Sequence, residues 1–160
     1  MAPRRATVSD RPAPTDTQAD LVWAGLPPGS RIFVDTAPLI YLLESHPVLA
    51  DRFVGLFEAA AEGRLSIVIS TITIAEVLTG PCKAGLTALA HRYEKALCEY
   101  EVIGVSVTVA TLAARLRARY RLRLRDAMQL AAALDCGAGA FVTHDRDFSG
   151  VDAIPILTGG

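Results

Sequence analysis

The sequence predicts an α/β fold of three layers, a central and mostly parallel sheet of four to five strands flanked by helices. Three observations predict it. Short apolar, β-branched runs alternate along the chain with segments of helical period, the pattern of strands joined by helical crossovers. Two of the runs, one early and one late, lead straight into a carboxylate, as strand ends do where a parallel sheet carries its site. The 160 residues are 51% hydrophobic with a mean hydropathy of +0.33, which suits one domain with a sizeable core.

Residues 1–30 hold Pro3, Pro12, Pro14, Pro27 and Pro28 among scattered Asp and Thr, and read as a flexible extension with Leu21-Val22-Trp23 as a docking point. From Arg31 the pattern tightens. Ile32-Phe33-Val34 is strand one. Thr36-Ala37-Pro38 opens a helix over residues 38–44, and a second covers residues 47–62, closed by Gly63 in a left-handed cap. Residues 65–70 form strand two. Residues 72–78 form a helix expected to end at Gly80-Pro81. Over residues 83–99, Leu86, Leu89, Ala90, Tyr93, Ala96 and Leu97 recur at three and four, an amphipathic helix. Strand three is expected over residues 102–107, helices over 109–119 and 126–135, strand four over 140–143. A last strand over 154–157 is placed at an edge by Pro155.

Composition excludes several classes. No apolar segment approaches the ~20 residues of a membrane span. Arg4 and Arg5 have no apolar run behind them, so no secretory signal is expected. Cys82, Cys98 and Cys136 are odd in number and lack metal-type spacing, which suggests buried thiols in a reducing cytoplasm. His46, His91 and His144 are too scattered for a zinc site. The net charge of −1 is uninformative, but Arg115, Arg117, Arg119, Arg121, Arg123 and Arg125 form a run without an acid. That run is either a solvated surface or a phosphate-contacting patch. Arg outnumbers Lys 14 to 2, which lowers the weight of the run.

Four acids stand out by context. Asp35 ends strand one, Glu76 is the only charge in its helix, Asp126 opens an Ala-rich helix, and Asp145 follows strand four. Each has a plainer reading. Asp35 suits a helix cap, Asp126 with Gln129 a capping box, Glu76 an exposed helix face, and Asp145 with Asp147 a turn. Converging on one sheet rim, however, the four would repel one another unless a cation were bound. Hard oxygen ligands of this kind suit Mg²⁺ or Mn²⁺. Such an ion favours phosphodiester hydrolysis by an activated water.

Val34-Asp35-Thr36, Ile74-Ala75-Glu76-Val77, Asp126-Ala127 and Thr143-His144-Asp145-Arg146-Asp147-Phe148, with acids separated by 41, 50 and 19 residues, resemble the four motifs of PIN-domain proteins. More narrowly, they resemble VapC-type toxin ribonucleases. His144 departs from the Asn common there, and Arg125 beside Asp126 is a second departure. The resemblance implies a PIN nuclease domain over residues 31–160 and Mg²⁺- or Mn²⁺-dependent endoribonuclease activity. Asp35, Glu76, Asp126 and Asp145 would be the catalytic metal ligands, Thr36, Thr143 and Asp147 their support, and Arg117, Arg119, Arg121, Arg123 and Arg125 the RNA contacts. It also implies homodimers, a VapB-type antitoxin seated near the helix of residues 83–99, and transfer RNA as the commonest kind of target. A non-catalytic PIN-like module binding RNA or protein is the alternative. An aspartyl-nucleophile phosphatase is disfavoured by Ala37, where that chemistry wants a second Asp.

Overall fold

A computed structural model describes Trp23 and residues 25–159. Its elements run β1 (Ser30–Val34), α1 (Thr36–Leu43), α2 (Val54–Ala61), β2 (Leu65–Ser70), α3 (Thr71–Lys83), α4 (Thr87–Leu97), β3 (Glu101–Ile103), α5 (Val107–Tyr120), α6 (Leu124–Asp135), β4 (Ala140–Val142) and β5 (Ile156–Leu157), with a 3₁₀ turn at Arg146–Phe148. The strands form one sheet in the order β3-β2-β1-β4-β5, and every pair is parallel. β5 is an edge strand, as Pro155 predicted.

Side chains alternate across a strand, so the two faces of β1 build two separate cores. Ile32 and Val34 pack with Ile67, Ile69 and Val142 against α1 to α4. Phe33, Val68 and Phe141 face α5 and α6, where Ala127, Leu130 and Ala131 close the layer. Phe33 stacks on Phe141 at 5.5 Å. A sheet covered on both faces accounts for strands that read as continuous apolar runs. Trp23 docks as expected, 1% exposed and 6.3 Å from the Phe53 ring. Residues 1–22 of the expected extension lie outside the described residues.

Several expected boundaries move, each for a local reason. The helix of residues 47–62 begins only at Val54, because the His46 Nδ1 accepts from the Val48 and Leu49 amides and holds a turn there. α3 continues through Gly80-Pro81 to Lys83. Proline forfeits one hydrogen bond, yet the Pro81 ring is buried and Ala84 and Leu86 still donate to the Gly80 and Pro81 carbonyls. Gly85, with φ +70°, then breaks the chain, so the amphipathic helix starts at Thr87. Its Tyr93 and Leu97 face the core. Strand three stops at Ile103, because the Ser106 hydroxyl caps α5 by accepting from the Val109 amide at 3.1 Å. The expected buried thiols are also corrected: Cys82 and Cys98 are exposed and Cys136 is half-buried.

Crossovers between β1 and β2 lie on one face of the sheet, and α5 and α6 lead to β4 on the other. The switch point is therefore between β1 and β4, where a doubly wound sheet opens a crevice beyond its carboxyl ends.

Candidate active site

The β1–β4 register pairs Val34 with Val142, which sets Asp35 beside Thr143. The Thr143 hydroxyl donates to Asp35 Oδ2 at 2.8 Å and accepts from the Asp145 amide at 3.0 Å. One threonine thus orients two of the expected acids. Asp35 also keeps its cap role, accepting from the Thr36 amide at 2.8 Å through Oδ1. Burial pushes the Asp35 carboxyl up to about 6, helped by the charges of Asp126 and Glu76 and opposed by the Thr143 and Thr36 bonds.

α3 starts directly at the end of β2, so Glu76 is carried one turn into the same rim. The Thr36 hydroxyl donates to Glu76 Oε2. α6 supplies Asp126 from its first turn, where a carboxylate is favoured by the helix dipole. The capping box expected of Asp126 and Gln129 does not form, because the cap position falls on Arg123. Asp126 is 2% exposed. Its Oδ1 accepts from Arg125 Nε at 3.0 Å, and its Oδ2 is buried with no hydrogen-bond partner among the described residues. Arg125 also reaches Glu76 Oε1 at 2.8 Å.

Asp35, Thr36, Glu76, Arg125 and Asp145 line one cleft of about 470 Å³. Asp126, Asp145 and Asp147 each offer an oxygen, all within 4.8 Å of one another, a group that could hold a cation. Asp147, expected only as support, therefore stands as close as the others, drawn in by its amide donating to Asp145 Oδ1 at 2.9 Å. A buried, unpartnered carboxylate oxygen beside two further carboxylates is the donor set a hard divalent ion needs.

Gln129 is the residue that sequence reasoning assigned only to a cap. It is 1% exposed. Its amide donates to Thr73 Oγ1 at 2.9 Å and Thr36 Oγ1 at 3.2 Å, while the Ser70 hydroxyl donates to its Oε1. A directed chain therefore runs Ser70 to Gln129 to Thr36 to Glu76, tying β2, α6, α1 and α3 together. A lone amide among the apolar residues that follow Asp126 was the signal for it. Gln129→Leu keeps the volume but leaves three hydroxyls without this partner. We expect a loss of about 1–3 kcal/mol, seen as a lowered midpoint in thermal unfolding. An unchanged midpoint would show that the network contributes nothing.

The arginine run is not gathered into one patch. Arg119 pairs with Asp152 at 3.0 Å, and Arg123 lies 3.9 Å from Asp147. Arg117 and Arg121 line a separate cleft with Ala114, Ala118, Leu122 and Leu124. Of the five expected RNA contacts, only Arg123 and Arg125 border the acids.

The sequence signature of the PIN domain matches residues 32–154. The chain belongs to the PIN-domain family. This PIN domain is similar to a chain of a toxin–antitoxin complex from Klebsiella pneumoniae, at 27% identity and a TM-score of 0.64, over 81% of this chain and 98% of that one. It shares its fold with VapBC2 from Rickettsia felis bound to a promoter DNA fragment (20% identity, TM-score 0.65, 79% and 97% covered). The same holds for Mycobacterium tuberculosis VapC20, described as a sarcin-ricin loop cleaving toxin (20% identity, TM-score 0.55, 78% and 99% covered). No curated protein matches the sequence.

Proposed function

We propose that this PIN domain is a metal-dependent endoribonuclease, the VapC-type toxin of a pair completed by a VapB-type antitoxin. The observation that carries the reading is the unpartnered Asp126 Oδ2, buried among carboxylates at the topological switch point. Asp35, Glu76, Asp126 and Asp145 would hold Mg²⁺ or Mn²⁺, and Asp147 stands close enough to Asp126 and Asp145 to join them. The ion supplies Lewis acidity, lowering the pKa of a water and stabilising charge on the phosphoryl oxygens. Thr143 keeps the Asp35 and Asp145 carboxylates in place, and Thr36 does the same for Glu76. The Klebsiella complex supports the assignment of an antitoxin partner. Transfer RNA is the substrate we favour, in the cytoplasm and in a homodimer. Among the described residues no helix is long and apolar enough to cross a membrane.

The test is cleavage of a labelled RNA by the purified chain with Mg²⁺, Mn²⁺ or chelator. Cleavage restored by either ion and abolished by chelator is expected. RNA binding indifferent to chelator, with no cleavage under either ion, would favour the non-catalytic module instead. That second reading draws on Arg125, whose guanidinium already engages Glu76 and Asp126.

Arg125 also yields a prediction of its own. A positive charge a few ångströms from a divalent ion is repulsive, and at half exposure solvent screens much of that cost. Arg125→Gln is expected to tighten Mn²⁺ binding on the order of tenfold, equivalent to ~1.4 kcal/mol. Isothermal titration of the RNA-free protein measures it. Weaker binding by the variant would mean that Arg125 positions its carboxylates and does not oppose the ion.

A further inference from the structure

RNA crossing the acidic cleft needs cations on its flanks, since five carboxylates repel its backbone. Two of the arginines beside the acids already face them: Arg125 pairs with Glu76 and Asp126, and Arg123 lies 3.9 Å from Asp147. On the far side of Asp145 a second cleft opens, of about 230 Å³, lined by Arg52, His144, Asp145, Arg146, Ser149 and Ile156 together with Thr158. Its lining inverts that of the first. Two guanidiniums, an imidazole and two hydroxyls line it, with one carboxylate among them. Asp145 lines both clefts, so the two are neighbours.

Two side chains give this second cleft its character. Arg146 is exposed, and has no ion pair among the described residues, unlike Arg119, Arg123 and Arg125. His144 is held by the Tyr41 hydroxyl, 2.9 Å from Nδ1, and packs edge-on to the Tyr41 and Phe53 rings. Its orientation is therefore fixed, and Nε2 is its remaining polar edge. A fixed imidazole, an uncommitted guanidinium and the Ser149 and Thr158 hydroxyls suit a phosphodiester oxygen.

We propose that the cleft between His144, Arg146, Ser149 and Thr158 is a phosphate subsite that holds the backbone of the RNA strand beside the acidic cleft. The inference rests on the ribonuclease reading and names where its substrate runs. It also moves the RNA contact away from the arginine run of α5, since Arg117 and Arg121 line a cleft that shares no residue with either of these.

The experiment measures binding of a fluorescent single-stranded RNA to the full chain in chelator, across a salt series, for wild type, Arg146→Ala, Arg146→Lys and Arg117→Ala. Losing one phosphate contact lowers the slope of log K against log salt by about 0.7 on a single strand. Arg146→Ala is expected to show that drop and to weaken binding about three- to tenfold at low salt. Arg146→Lys should restore most of the slope, and Arg117→Ala should match wild type. In Mg²⁺, Arg146→Ala should raise KM and leave kcat unchanged. An unaltered slope for Arg146→Ala, or an equal loss for Arg117→Ala, overturns the subsite and leaves the ribonuclease reading standing. A wild-type chain that neither binds nor cuts RNA overturns both.

Discussion

Asp126→Asn is expected to lower Mg²⁺-dependent RNA cleavage at least about 10³-fold, or ~4 kcal/mol of transition-state stabilisation, while the fold survives. The expectation follows from how the two Asp126 oxygens are used. Oδ1 is committed to Arg125, and Oδ2, although buried, has no hydrogen-bond partner among the described residues. An amide can still accept from Arg125 through its oxygen, but its nitrogen then stands where the free carboxylate oxygen was and cannot ligate a hard cation. Without metal, the same change removes one charge from a group of acids and relieves repulsion. Thermal unfolding in chelator should therefore show a midpoint equal to or above that of wild type, while Mg²⁺ stabilises the variant far less. Cleavage within threefold of wild type would sink the catalytic assignment.

The parts of the fold that rest on alternation were legible in the sequence. Ile32-Phe33-Val34 announces a strand buried on both faces, and the structure divides those three residues between two cores. Asp35, Glu76, Asp126 and Asp145 were placed by one argument, that each follows a strand or opens a helix, and the topology carries all four to one rim. What escaped was set by tertiary contact. Nothing local tells that Pro81 is buried inside a continuing helix, or that Ser106 caps α5 and cuts strand three short. Arg125 stood out in the sequence for its place beside Asp126, but its second partner did not. Only the approach of α3 to α6 shows its guanidinium bridging Glu76 and Asp126. Asp147 and Gln129 were undervalued for the same reason, because a turn or cap motif fixes where a backbone goes and not what the side chain meets there.

Packing carboxylates together has a thermodynamic consequence that the metal must reverse. Asp35 has a carboxyl pushed from 3.8 to about 6 by burial, with the Asp126 and Glu76 charges adding to it. In the unfolded chain it ionises first, so between those values the native state binds more protons. Stability is thus fully present below about pH 4, falls as pH rises toward 6, and stays lost above. A shift near two units corresponds to about 3 kcal/mol, or roughly 6–12 °C in a domain of this size. A divalent ion binds the ionised carboxylates and not the protonated ones, so its stabilisation should grow with pH over the same window. We expect excess Mg²⁺ or Mn²⁺ to raise the unfolding midpoint strongly at pH 7.5 and little at pH 4.5. Asp35→Asn should flatten the metal-free fall between pH 4 and 6, because the group whose burial drives it no longer ionises. Scanning fluorimetry across pH, with ion and with chelator, reads both effects. A metal-induced rise of equal size at both ends of the range would mean that the ion binds elsewhere than this carboxylate cluster.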